Sequence, residues 1–347
     1  MIWRQRQSGG DGSTNIQAQV AQFGIGYDDA KQIALDVFKE NFSKLSQGAY
    51  ETARVRAEEF TENYLTELQE RGGEAAANIQ DPGIQSDILE AQSGYAKTGD
   101  RELGQILVDL LVDRTSTKER TITNLALSAS ISTAQKLTAS HFSALTAIFV
   151  LRQLRIGGAT SPPMLYARLS DYLSPLASDM QALTWTDVQY LAGLGCLTIS
   201  MGAIDPAETL QKTYPGLFTM GFNLEQHPQV ADLQATGIIR RCIRDNEKFQ
   251  FDAADNESLR EKLREVGQED RLEQLQAVAN SAPMSSSDIL DEFTQRHPKI
   301  KMLLTAYEAR QLANCTNTAI GTTIGHAYLR QVTAGMFDTD LEVWMTS

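Results

Sequence analysis

Histidine and cysteine are scarce in this sequence, with four of the first and three of the second among 347 residues. Cys196, Cys242 and Cys315 stand far apart, and none belongs to a Cys-x-x-Cys pair. Neither a disulfide framework nor a zinc site is indicated, and buried thiols are expected. Basic residues are outnumbered, 31 Lys and Arg against 44 Asp and Glu. The resulting net charge of −13 repels phosphate backbones, which disfavours general nucleic-acid binding. Arg240, Arg241 and Arg244 do cluster in "IIRRCIR", where a solvated or salt-bridged helix face is expected. Long apolar runs are also missing. The stretch "YLAGLGCLTISMGAI" has fifteen residues, fewer than the ~20 needed to span a bilayer. The opening "MIWRQRQSGG" carries two arginines but no apolar stretch of signal-peptide length and no acylation signal. A cytoplasmic location is the expectation.

What is present is helical spacing. From Tyr27 onward apolar residues recur with a 3.6-residue period, and "ETARVRAEEFTENYLTELQER" reads as a helix with Val55, Phe60, Tyr64 and Leu68 on its apolar seam. Gly72 and Gly73 are expected to stop it. Pro82 marks a new start and Gly99 a new stop. The segments "DRELGQILVDLLVDRTSTKERTITNLALSAS" and "TASHFSALTAIFVLRQLR" are the most apolar of the first half and should supply its central helices. Glycines and prolines crowd into Gly157 to Pro163, the best candidate for a domain boundary. Beyond it, "TYPGLFTMGFNLEQHPQ" reads as irregular, "VADLQATGIIRRCI" as a helix and "SLREKLREVGQEDRLEQLQAVA" as one strongly charged helix. Ser285 to Asp288 forms an N-cap cluster, and the tail "FDTDLEVWMTS" looks strand-like.

Candidate chemistry is sparse. Asp109 and Asp113 in "LVDLLVDR" lie four apart, so a helix places both carboxylates on one face, with Asp100 further back. A metal-dependent hydrolase could use them as oxygen ligands. Structural salt bridges, with Arg120 or the neighbours of Arg114, account for the same residues without chemistry. His326 and Cys315 are close enough in sequence to act as base and nucleophile, although a packed core histidine is the plainer expectation. His227 and His297 each precede proline, which puts them at helix ends or in loops. Gly321 and Gly325 in "AIGTTIGHA" lack the lysine of a phosphate loop; on a helix they let another helix approach closely. No cofactor, catalytic or metal-binding residue is assigned.

The segment "SGGDGSTNIQAQV" differs from everything after it. Ile16, Ala18 and Val20 alternate with Asn15, Gln17 and Gln19, a strand pattern. Identical copies stacked in register would pair every backbone group and align the amides into ladders. A flexible tail, or a strand packed on its own domain, accounts for the same pattern.

Four blocks, "GGDGSTNIQA", "YDDAKQIALDVFKENFSKLS", "GDRELGQILVDLLVDRT" and "AIGTTIGHAYLRQVTAGMFDTDLEVWM", together resemble an uncharacterised family of helical bacterial proteins, over nearly the whole chain. The opening also resembles short N-terminal motifs of bacterial conflict and immunity proteins, departing from them where Gln19 follows Ala18 in place of a glycine. "YLAGLGCLTISMGAI" resembles the end of a winged-helix unit. The expectation is a mainly α, multi-helix, two-domain protein with a short N-terminal strand-like segment and a short C-terminal strand. Its divisions are an assembly segment at 1–26, a helical domain at 27–156 and a second at 162–347 that includes the winged-helix-like candidate. The resemblance implies a non-enzymatic, self-assembling protein of an antiphage defence or conflict system, partnered by itself and by another defence protein. A metal-dependent hydrolase and a monomeric adaptor are the competing classes.

Overall fold

Helical periodicity from Tyr27 becomes α1 (Tyr27–Phe42) and α2 (Gln47–Glu70) in a computed structural model that describes residues 26–42, 46–71, 74–116 and 118–345. Asn15 to Val20 and the glycine pair at 72 and 73 lie outside the described residues. The seam of α2 runs through Ala53, Ala57, Phe60, Tyr64 and Leu68, whereas Val55 is exposed. The reason is phase. Positions 53, 57, 60, 64 and 68 keep the three- and four-residue spacing of one face, and small Ala53 and Ala57 fit against Phe38 and Ala96. Helix α3 (Pro82–Thr98) begins where Asp81 accepts the backbone N–H groups of Gly83 and Ile84.

The most apolar segments form α4 (Arg101–Thr115), α5 (Ile122–Ala134) and α6 (Ala139–Arg152). All residues from His141 to Leu151 are buried, as a helix apolar on every side requires. Beyond the Gly157 to Pro163 stretch come α7 (Pro162–Leu173), the single turn α8 (Asp179–Ala182) and α9 (Trp185–Gly193). The last of these closes through Leu194 and Gly195, whose φ of +74° favours glycine, and passes into strand β1 (Leu197–Ile199). Helix α10 (Pro206–Thr213) follows.

The expected helix at "VADLQATGIIRRCI" is instead a 3₁₀ stretch, Pro228–Thr236, followed by strand β2 (Ile239–Arg241). Strand β2 pairs antiparallel with β3 (Phe249–Phe251). Consecutive β-branched Ile238 and Ile239 after Gly237, with φ of +78°, favour an extended chain there. Of the three arginines, Arg240 pairs with Asp252 at 3.2 Å, Arg244 pairs with Glu292 at 3.1 Å, and Arg241 lies over the Phe249 ring. The charged segment that reads as one helix is two, α11 (Asn256–Glu265) and α12 (Leu272–Ala279). Between them Gly267 and a 3₁₀ turn redirect the chain, letting Leu259, Leu263, Leu272 and Leu275 share a small second core with Phe222 and Phe251.

Helices α13 (Ser286–Arg296) and α14 (Pro298–Ala309) come next. Ser285 caps the first by accepting the Asp288 N–H. Strand β4 (Cys315–Asn317) pairs antiparallel with β1, and α15 (Ala319–Val332) returns to pack on α4, α5 and α6. The main core therefore runs from Ala30 to Leu341, across the Gly157 to Pro163 connection. Among its described residues the tail forms no strand. Phe337, Leu341 and Trp344 repeat at helical intervals of four and three, and the last turn is helical, α16 (Glu342–Met345). Phe337 and Leu341 are buried, and the Trp344 indole N–H donates to the Gln153 carbonyl at 3.2 Å.

His326 sits under this tail with Phe337 and Trp344 at ring-centroid distances of 5.1 and 5.6 Å, and its Nε2 is 2.7 Å from the Thr339 carbonyl. Burial, then the Arg330 charge, push its pKa down to about 4. The unfolded chain, with a histidine pKa near 6.5, takes up a proton that the folded chain refuses. Folding stability is full above about pH 6.5 and falls by about 1.4 kcal/mol per pH unit as pH drops towards 4. Urea titrations at pH 7, 5.5 and 4.5 check this. His326→Phe should flatten that part of the pH profile, and an unchanged slope would refute the assignment.

Candidate functional site

Three helices converge on one cleft of about 1100 Å³. Helix α2 ends at Arg71, α4 presents Asp109 and Asp113 one turn apart, and α15 presents Arg330. The amphipathic seam of each helix faces the core, so polar residues just off the seam meet at the cleft floor. Phe60, Tyr95 and Phe337 supply apolar wall. Gly104 lets the Tyr95 ring lie directly on α4, since a Cβ there would come within 2.8 Å of it.

The four charges interlock. The Arg71 guanidinium donates to Asp109 Oδ1 and, at 3.0 Å, to Asp113 Oδ1, while its Nε donates to Glu67 at 2.7 Å. Arg330 Nη1 lies 3.0 Å from Asp109 Oδ1 and 3.3 Å from Asp113 Oδ2. The sequence-level partners were different residues. Arg114 pairs with Asp87 at 2.9 Å, and Asp100 is the N-cap of α4, accepting the N–H groups of Glu102 and Leu103. Burial works against the Arg71 and Arg330 cations, but the facing carboxylates outweigh it and hold both pKa values raised. Burial, then the charge of Asp109, push the Asp113 carboxyl above the ordinary range despite both arginines.

This arrangement ties three helices together electrostatically. Asp109 is buried, and its Oδ2 has no hydrogen-bond partner among the described residues. A divalent cation ligated by both carboxylates would have to displace the guanidiniums that pair with them. Arg71 and Arg330 lie 259 residues apart, so no local sequence pattern joins them. The only local signal is an arginine in the final turn of each helical pattern.

Other candidates are engaged elsewhere. The Cys315 thiol is 3.7 Å from the Gln311 carbonyl, and burial pushes its pKa up to about 11. His326 is held by Thr339. His141 closes the capping box of α6 and reaches Asp187 at 3.3 Å. His227 and His297 stand at helix starts before proline. Gly321 and Gly325 occupy the buried face of α15, where added Cβ atoms would fall 1.9 Å from the Cys196 carbonyl oxygen and 2.9 Å from that of Leu145.

Fold and site together define a mainly α-helical protein built around a charge-paired cleft. The chain belongs to an uncharacterised protein family whose profile matches residues 24–345. No curated protein and no solved structure matches it. Among the described residues no helix is long and apolar enough to cross a membrane.

Proposed function

We propose that this chain is a non-enzymatic, self-associating cytoplasmic protein of a bacterial antiphage defence or conflict system, with the helical body as scaffold and Asn15 to Val20 as the assembly element. The observation that carries the non-enzymatic part is the mutual engagement of Asp109, Asp113, Arg71 and Arg330. A carboxylate gripped by two guanidiniums is a poor base and a poor ligand, because ligation must first break charge-assisted hydrogen bonds. The assembly part rests on the alternation at residues 15–20 and on the resemblance of the opening to motifs of conflict proteins.

Mass by light scattering tests the assembly reading. The full chain should exceed the 38.3 kDa of one copy, and Ile16→Pro should lower that mass while helical circular dichroism stays unchanged, since proline removes a ladder donor. A monomeric full chain would reject self-association in favour of an adaptor. The competing hydrolase reading draws on the unbonded Asp109 Oδ2. It requires divalent metal to raise the melting temperature, and Asp109→Asn with Asp113→Asn to abolish that rise. We expect no such shift.

A further inference from the structure

Among the described residues the sheet of β1 and β4 has two strands, so each strand has an edge that the other does not cover. In β1 that edge can be read from the ladder. Leu197, Thr198 and Ile199 lie opposite Asn317, Thr316 and Cys315. The Ser200 N–H donates to the Asn314 carbonyl at 2.8 Å, and the Thr318 N–H donates to the Cys196 carbonyl at 3.0 Å. Antiparallel pairing alternates, so even-numbered residues of this strand bond to β4 and odd-numbered ones point their N–H and C=O groups away. Ile199 and Met201 have no backbone hydrogen bond on the outer side among the described residues. Their side chains are exposed as well: Ile199 is 42% accessible, Ile204 44%, and Met201 fully so. Proteins usually blunt such an edge with charge or proline. Here no charged residue and no proline occurs from Cys196 to Ile204.

We infer that this free edge of β1 is the docking site for the Asn15–Val20 segment of a second copy of the chain, which adds a strand to the sheet. The inference rests on the self-association reading above and names the surface that receives the segment. Ile16, Ala18 and Val20 on one side and amides on the other suit an edge with one apolar and one solvated face. Charge favours the pairing. In a chain of net charge −13, residues 12–27 are without charge, as is the edge, so the two meet without repulsion. Five residues, 21–25, link the segment to Gly26, a tether of roughly 17 Å when extended. It is rooted at α1, which packs on α2 and α3, whereas β1 packs on α9 and β4. Donation by a neighbouring copy, unlike donation within one chain, also joins two chains, as the self-association reading requires.

Two measurements on full-length chains test this. The first compares masses. Ile199→Lys with Met201→Lys places charges on exposed positions, and the pair should lower the mass as far as Ile16→Pro does, with helical circular dichroism and melting unchanged. A lowered mass for Ile16→Pro beside an unchanged mass for the lysine pair would overturn the inference and leave self-association standing, with segments stacking on one another. A monomeric parent chain would reject both. The second measurement mixes chains bearing Ala18→Cys with differently tagged chains bearing Met201→Cys under mild oxidation, against a background of three buried native thiols. A disulfide joining the two tags is expected. Cross-links confined to pairs of Ala18→Cys chains, or formed within one chain carrying both changes, would overturn it.

Discussion

Arg330→Met is expected to cost about 3–5 kcal/mol of folding stability, because removing one partner leaves an uncompensated charge in a largely buried cluster. Arg330, Asp109 and Asp113 have side chains 17, 10 and 23% accessible. In the parent two guanidiniums face two carboxylates; in the variant Arg71 alone must serve both. The loss should depend on pH in a definite direction. Asp113 already has a raised pKa, about 6, from burial and then from Asp109, and without Arg330 it rises further. A carboxyl with a folded pKa above its unfolded value adds stability below the unfolded value and loses it as pH rises through the folded one. The deficit of the variant against the parent should therefore shrink as pH falls from the variant's higher Asp113 pKa towards about 6, and stay at its smaller value below that. Paired urea titrations at pH 7.5 and 5 read this out, and a further Asp109→Asn change should restore part of the loss at pH 7.5. A deficit that is small and independent of pH would mean the cluster is solvated and structurally idle.

Gly321→Leu should also cost stability, at or beyond the upper end of the ~1–3 kcal/mol typical of overpacking. A Cβ would fall 1.9 Å from the Cys196 carbonyl oxygen, which is backbone and already accepts the Thr318 N–H. It cannot retreat without pulling on the turn that leads into β1. Gly325→Leu meets the Leu145 carbonyl at 2.9 Å, where Asn317 Nδ2 also donates, and should fall within that range. The order of the two melting temperatures is the test. Equal or unchanged melting would show that α15 can slide on α6, and that the close approach is not required.

Much of the architecture was legible in local pattern. Helix existence followed from apolar spacing, as in α1 and α2, and helix starts followed from caps such as Asp81 and Ser285. The departures share a cause. Ile238 and Ile239 fit either a helix or a strand until β3 provides a partner, and Phe337, Leu341 and Trp344 show helical spacing only once the strand alternative has no neighbour to pair with. Apolar character alone puts Val55 on the seam, but the closest contacts of α2 are made by small Ala53 and Ala57, and Val55 is exposed. At the site, the i,i+4 carboxylates of α4 were visible, and their role was not.

Helical spacing, capping and net charge are local or summed properties, so they already specify a mainly helical, acidic chain with α4 to α6 at its centre. Which distant residues meet depends on how those helices pack. Only the tertiary structure brought α15 back against α6 across the glycine- and proline-rich connection, because buried area is gained between surfaces that sequence separation does not reveal. That return set Arg330 opposite Asp109 and Asp113, and placed β4 beside one edge of β1, with no strand on the other among the described residues.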